Sequence, residues 1–129
     1  MIQKDDKYIE DCLVTETNDF EGISSRLENR NTVRLLHAGL GVATEAAEIA
    51  DILKKHVYYG KPLDKTHLKE EIGDVLYYLA IAIDALDSDF QTLKDANIAK
   101  LKTRYPDGFE KNKALKRDVE AEYRAMEDV

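Results

Sequence analysis

Two pairs of acidic residues have the types and spacing that metal-dependent phosphate chemistry requires. Glu45 and Glu48 are three residues apart, and Glu71 and Asp74 repeat that spacing further along the chain. Residues three apart lie on one face of an α-helix, so each pair projects its carboxylates in nearly the same direction. Two such pairs facing each other would repel strongly unless they held a hard divalent cation, which carboxylate oxygens bind well. The pattern therefore predicts a magnesium site.

The spacing by itself is more typical of solvated helix faces than of a site. A chain with 26 acidic residues contains several acidic pairs of this kind by chance, such as Glu16/Asp19 and Asp84/Asp87. The two pairs singled out above differ because they border apolar stripes, where an unpartnered carboxylate is costly. Their apolar neighbours include Val42, Ala43, Ile49, Leu68, Ile72 and Val75.

A divalent cation held in this way indicates phosphoanhydride hydrolysis, because it bridges phosphate oxygens and activates a bound water. A basic side chain must then hold the rest of the phosphate chain. Lys54 and Lys55, and basic residues of the fourth predicted helix, are the candidates. Lysines near a helix C-terminus are also favoured by the helix dipole, so both interpretations of this pair stay open.

The elements that must position these side chains are helices, because Leu, Ala, Ile, Glu and Lys recur at three- and four-residue intervals. Both prolines, Pro62 and Pro106, occur in turn-like segments with a nearby glycine. Short connections predict antiparallel neighbours, hence an all-α, four- to five-helix bundle with the metal site between the second and third helices. The predicted helices cover about 2–16, 32–59, 64–87, 89–104 and 110–126, with an irregular segment from Thr17 toward Ser25.

Individual residues refine this layout. Asp64 is expected to cap the third helix, and Gly60 to end the second. Gly39 and Gly41 are costly inside a helix, by about 1 kcal/mol each relative to alanine, and so indicate a bend or a close helix approach.

Histidine and cysteine offer no additional site. His37, His56 and His67 have no partner at metal-ligand spacing, so each is interpreted as an ordinary helix-face residue. The single cysteine, Cys12, excludes an intramolecular disulfide and is interpreted as a core residue of the first helix.

The composition limits the class of protein. With 129 residues, 43% of them hydrophobic and 35% charged, the chain is expected to form one domain over 1–129. No apolar run reaches the roughly 18 residues that cross a bilayer, and the N-terminus does not resemble a signal peptide, which predicts no membrane partner and a cytoplasmic location. The net charge of -7 argues against nucleic acid as a partner.

Three segments together resemble the MazG-like nucleotide pyrophosphohydrolases, which belong to the all-α NTP pyrophosphatase superfamily. The first is Glu45-x-x-Glu48, and the second runs from Glu70 to Leu79 and contains Glu71-x-x-Asp74. The third runs from Asn97 to Phe109, and the similarity spans about Leu36 to Phe109. Many relatives have glycine where this chain has Ala47.

The resemblance implies that Glu45, Glu48, Glu71 and Asp74 are the catalytic residues, that they ligate Mg²⁺, with Mn²⁺ as an alternative, and that one of them helps to activate water. It also implies a set of residues that contact the substrate phosphates or a metal-bound group. With Lys55 added from the pattern above, the substrate-binding candidates are Asn97, Lys100, Arg104, Tyr105 and Lys55.

The same resemblance implies cleavage of a ribo- or deoxyribonucleoside triphosphate between its α and β phosphates, giving a nucleoside monophosphate and pyrophosphate. It further implies a homo-oligomer, either a dimer or a tetramer, with the site near a subunit interface. The region before Leu35, which contributes to the base pocket in such proteins, offers only Thr17, Asn18, Asn29 and Asn31 as base-reading candidates.

Two alternatives remain open from the sequence. One is a helical nucleotide-binding or interaction module that has lost catalysis. The other is a specialised pyrophosphatase, such as one acting on phosphoribosyl-ATP.

Overall fold

A computed structural model describes residues 6–127 and 129, and the regular structure in these residues is entirely helical. This confirms the predicted all-α class. Within the described part of the chain, no helix is both long and apolar enough to cross a membrane. The helices are α1 (Asp6–Leu13), α2 (Phe20–Arg26), α3 (Arg30–Tyr59), α4 (Lys65–Ala85), α5 (Phe90–Arg104), α6 (Lys111–Leu115) and α7 (Val119–Glu127).

The chain divides into two compact units, Met1–Val33 and Arg34–Val129. The described part of the first unit contains α1, α2 and the first residues of α3, and none of its residues is buried. Its helix starts are capped locally: Asp19 Oδ1 accepts the Gly22 N–H at 3.2 Å, and Asn29 Oδ1 accepts the Thr32 N–H at 3.0 Å. The second unit contains the rest of α3 and the helices that follow it.

Two predicted elements differ from the structure because side-chain caps start additional helices. The segment from Thr17 toward Ser25 is not irregular throughout, because Asp19 caps α2 and the helix begins at Phe20. The single helix predicted over 110–126 is two helices, α6 and α7. Asp118 Oδ1 accepts the Ala121 N–H at 3.0 Å and so starts a new helix after α6 has ended. The predicted first helix is described only from Asp6, and it ends at Leu13; residues 2–5 lie outside the described residues.

The predicted caps of the long helices are confirmed. Asp64 Oδ1 accepts the His67 N–H at 2.9 Å and starts α4. Gly60 follows the end of α3 with φ of 68°, a backbone conformation that glycine adopts without strain.

Helices α3 and α4 run antiparallel in the second unit, as the short connection predicts. Arg34, near the start of α3, forms an ion pair with Asp84, near the end of α4, at 2.5 Å. Further along, the buried Gly41 of α3 faces the Tyr78 ring of α4. The buried apolar side chains of this unit are mostly small: they are Ala38, Ile52, Ala85 and Ala96.

A substitution at Gly41 tests whether its contact with the Tyr78 ring contributes to stability. A Cβ at this position would overlap the Tyr78 ring, including Cγ, which is close to the Tyr78 backbone. We expect Gly41→Ala to lower the free energy of unfolding by up to about 2 kcal/mol, because overpacking of about 1–3 kcal/mol outweighs a gain of about 1 kcal/mol in helix propensity. Urea unfolding followed by circular dichroism measures the change.

Gly39→Ala is the matched control. A Cβ at residue 39 would meet no heavy atom within 4 Å, so only the helix propensity changes and stability should rise by up to about 1 kcal/mol. Equal effects of the two substitutions would contradict the proposed role of the Gly41 contact.

Candidate metal centre

Three carboxylates from α3 and α4 meet at one place in the second unit. Glu45 of α3 and Glu71 and Asp74 of α4 each offer one oxygen, and these oxygens all lie within 4.8 Å of one another. Glu71 is buried, Glu45 is half-buried and Asp74 is exposed. The cluster is therefore anchored by one buried acid and accessible to solvent on the Asp74 side.

The electrostatics of this cluster favour a bound cation. The pKa of Glu45 is raised, chiefly by a hydrogen bond with Glu71, next by desolvation, and then by the nearby charges of Glu71, Asp74 and Glu48. A raised pKa means that the negative charge of Glu45 is disfavoured beside the other acids. A divalent cation would offset this cost, and carboxylate oxygens are ligands that suit Mg²⁺ or Mn²⁺.

Glu48, the fourth predicted ligand, is not part of the group of three. It lines a neighbouring cavity of about 240 Å³. The structure thus brings together three of the four predicted ligands, while the charge of Glu48 still acts on Glu45. The other residues around this cavity are Asp51, Ile52, Lys55, Lys61, Pro62, Asp64 and His67.

Lys55, a predicted substrate-binding residue, lies in this cavity and is paired with Asp51. Lys55 Nζ is 2.5 Å from Asp51 Oδ2, and Lys54 Nζ is 3.8 Å from Asp51 Oδ1. The hydrogen bond between Lys55 and Asp51 is the main reason that the pKa of Asp51 is lowered and that of Lys55 is raised. Lys55 therefore places a positive charge beside Glu48.

His67 makes a contact with the cluster that the sequence pattern did not predict. Its Nε2 donates a hydrogen bond to Oε1 of Glu71 at 2.8 Å, so it touches the buried acid of the cluster. The signal was present in the sequence, because residues four apart on a helix are neighbours. Metal-ligand spacing alone does not reveal this contact, because the partner of His67 is the acid one turn away on the same helix.

The other substrate-binding candidates lie on or directly after α5. Asn97 lines an apolar cavity of about 480 Å³ together with Leu79 and Ile83 of α4. Lys100 lines a cavity with Arg117, which lies between α6 and α7, and with Glu122 of α7. Within the described residues, no hydrogen bond or ion pair joins these candidates to the three-carboxylate cluster.

Arg104 is held by residues that follow α5, and Tyr105 lies against Arg104. Arg104 Nε lies 3.6 Å from Glu122 Oε1, and Arg104 Nη2 donates to the Ala114 carbonyl at 3.1 Å. The Arg104 guanidinium also lies over the Tyr105 ring, 5.0 Å from its centroid. Glu122 is only 3% exposed, and it accepts hydrogen bonds from Arg117. The sequence pattern does not predict this buried acid. Arg104 is distant in the sequence, and Arg117 lies before the start of α7 and so is not a neighbour on the same helix.

The base-reading candidates lie in the first unit. Thr17 and Asn18 precede α2, and Asn31 is exposed in the first turn of α3. Asn29 already has a structural task, since its side chain caps the start of α3.

Comparison with known proteins identifies one family. The model of the MazG nucleotide pyrophosphohydrolase domain matches residues 36–109, which is more than half of the chain. The match includes the cluster and most of α3, α4 and α5, and it ends before α6. No curated protein and no solved structure matches the chain significantly.

Glu122 predicts an acid-sensitive attachment of α7. Its pKa is lowered, first by hydrogen bonds from Arg117 and also by the charges of Arg117, Arg104 and Lys100. A lowered pKa in the folded state stabilises the fold above the ordinary value of 4.5, and this contribution is lost as the pH falls through the lower folded value. We expect Glu122→Gln to lower the thermal midpoint by several degrees at pH 7, and by progressively less below about pH 4.5.

Thermal unfolding between pH 3 and 7 measures this difference. Glu120→Gln is the control, because Glu120 is an exposed acid on the same helix. A Glu122→Gln effect that is constant across the pH range would show that the charge of Glu122 is not the cause.

Proposed function

The chain belongs to the MazG nucleotide pyrophosphohydrolase family, and we propose that it is a magnesium-dependent nucleoside triphosphate pyrophosphohydrolase. It would cleave a ribo- or deoxyribonucleoside triphosphate between the α and β phosphates. The observation that carries the proposal is the group of carboxylate oxygens from Glu45, Glu71 and Asp74 within the matched segment.

In this proposal, Glu45, Glu48, Glu71 and Asp74 hold the cation, which is Mg²⁺ or alternatively Mn²⁺. The raised pKa of Glu45 supports this assignment. It reflects first a hydrogen bond with Glu71, then desolvation and the nearby charges of Glu71, Asp74 and Glu48, and these negative charges would attract a cation. When bound, the metal would neutralise phosphate charge and lower the pKa of a coordinated water.

The side chains of the protein then perform the remaining steps. A carboxylate of the cluster accepts a proton from the attacking water, whose oxygen forms a new bond to the α-phosphorus. The α–β anhydride bond breaks, and the bonding electrons leave with pyrophosphate. Lys100 steadies the departing charge, while Asn97, Arg104, Tyr105 and Lys55 contact the phosphates. The position of Lys55 in the cavity beside Glu48 supports its role.

We further propose that the active form is a cytoplasmic homo-oligomer, a dimer or a tetramer, with no nucleic acid or membrane partner. Leu36 and Leu40 lie one turn apart on α3 and are 49% and 59% exposed. Ile72 and Leu76 lie one turn apart on α4 and are 47% and 50% exposed. Each pair is an exposed apolar strip on its own helix, of the kind that a second copy of the chain would cover.

Pyrophosphate release from a panel of ribo- and deoxyribonucleoside triphosphates, with and without Mg²⁺, tests the activity. We expect release only with Mg²⁺, and a loss of at least about 100-fold in Glu71→Gln and in Glu48→Gln, because each removes a ligand charge. Glu120→Gln serves as the control, since this exposed acid lies on α7, outside the matched segment.

The alternatives predict different results in the same experiment. Magnesium-dependent nucleotide binding without pyrophosphate would indicate a binding module. Turnover of phosphoribosyl-ATP in preference to every nucleoside triphosphate would indicate the specialised enzyme. Full activity of both glutamine variants would contradict the proposed mechanism.

Light scattering coupled to size exclusion tests the oligomer. We expect the wild-type mass to be a multiple of 14.7 kDa and Leu40→Glu to shift the protein toward the monomer, because a charge would be placed in the covered surface. Leu115→Glu is the control, as Leu115 is exposed on α6. A monomeric wild-type protein would contradict the proposal.

A further inference from the structure

We propose that His67 is a positioning residue that orients the Glu71 carboxylate for divalent-cation binding. The inference rests on the proposed metal site and adds a residue to it that touches neither substrate nor cation. It assigns a task to a histidine that the spacing of metal ligands does not predict.

The contact itself is short and directed. His67 Nε2 lies 2.8 Å from Glu71 Oε1, within the range of hydrogen bonds to charged groups. The Glu71 side chain is 11% exposed, whereas the His67 side chain is 46% exposed. Because Glu71 is largely shielded from water, His67 provides a hydrogen bond that solvent supplies poorly at this position.

His67 is itself held in place. Its backbone N–H donates to Oδ1 of Asp64 at 2.9 Å, which fixes the first turn of α4. The side chains of His67 and Glu71 lie one turn apart on the same face of this helix. A continuous set of contacts therefore runs from the cap of α4 to the buried acid of the cluster.

The hydrogen bond leaves most of the Glu71 carboxylate available. A carboxylate has about four positions at which it can accept a hydrogen bond or bind a cation, and His67 occupies one of them on Oε1. The other positions can serve the contact with Glu45 or a cation. Holding the flexible glutamate side chain before the cation arrives reduces the entropy lost on binding, and loss of such a partner typically weakens metal affinity by about 10- to 100-fold.

Binding of Mg²⁺ and Mn²⁺ to the metal-free full-length protein, without nucleotide, tests the inference. Calorimetry gives the dissociation constant, and electron paramagnetic resonance follows free Mn²⁺. We expect His67→Leu to raise the dissociation constant by about 10-fold or more. His67→Gln should stay within about 3-fold of wild type, because its amide N–H can replace the Nε2 donor.

His56→Leu is the matched control. His56 Nδ1 donates to the Lys61 carbonyl at 2.7 Å, and no contact with the cluster is seen for it within the described residues. Thermal unfolding in the presence of a chelator verifies that each variant is folded, and His67→Ala replaces His67→Leu if the latter is not.

The outcomes separate this inference from the proposed function. Wild-type affinity in His67→Leu, or equal weakening in His67→Gln and His67→Leu, would overturn the positioning role while leaving the enzyme proposal intact. Weakened binding in His67→Leu together with an inactive wild-type protein would support the positioning role and count against the enzyme. A wild-type protein that binds neither ion would overturn the inference.

Discussion

The repulsion among Glu45, Glu71 and Asp74 is the constraint on which the second unit depends. Their oxygens lie within 4.8 Å of one another, and Glu71 is buried. The protein offsets this cost in part through the hydrogen bond between Glu45 and Glu71 and through the donor on His67. A ligand that binds only the folded state stabilises it, so the proposed cation would turn a locally destabilising group into a stabilising one.

The packing of α3 on α4 sets the distance between these charges. Gly41 lies four residues before Glu45, and Tyr78 lies four residues after Asp74, so their contact is about 6 Å along the helices from the cluster. The contact between Gly41 and Tyr78 therefore helps to set the spacing between the acids of α3 and those of α4. The site is therefore supported by rigid elements, and a change in the helix contact would alter the distances among the carboxylates.

Local patterns predicted most of this arrangement, and tertiary contacts account for the remainder. The bounds of α3, α4 and α5, and the cap at Asp64, follow from hydrophobic periodicity and capping chemistry, which act within a few residues. Which three acids meet depends on the rotation of each helix about its axis, and spacing does not specify this rotation; hence Glu48 lies apart from the group. The split between α6 and α7 depends on a cap at Asp118 inside a charged segment that reads as continuous.

Glu122 of α7 is a buried acid close to Arg104 and Lys100, two residues that are proposed to bind phosphate. Glu122 accepts hydrogen bonds from Arg117 and forms an ion pair with Arg104. The pKa of Glu122 is lowered first by the hydrogen bonds from Arg117, and the charge of Lys100 also lowers it. The single carboxylate of Glu122 balances one of these three positive charges, so two of them remain. Glu122 thus fixes Arg104, whose long side chain would otherwise lose much rotamer freedom on binding a phosphate, without cancelling the positive potential. In the proposed enzyme, the Arg104 side chain is therefore already ordered before substrate binds.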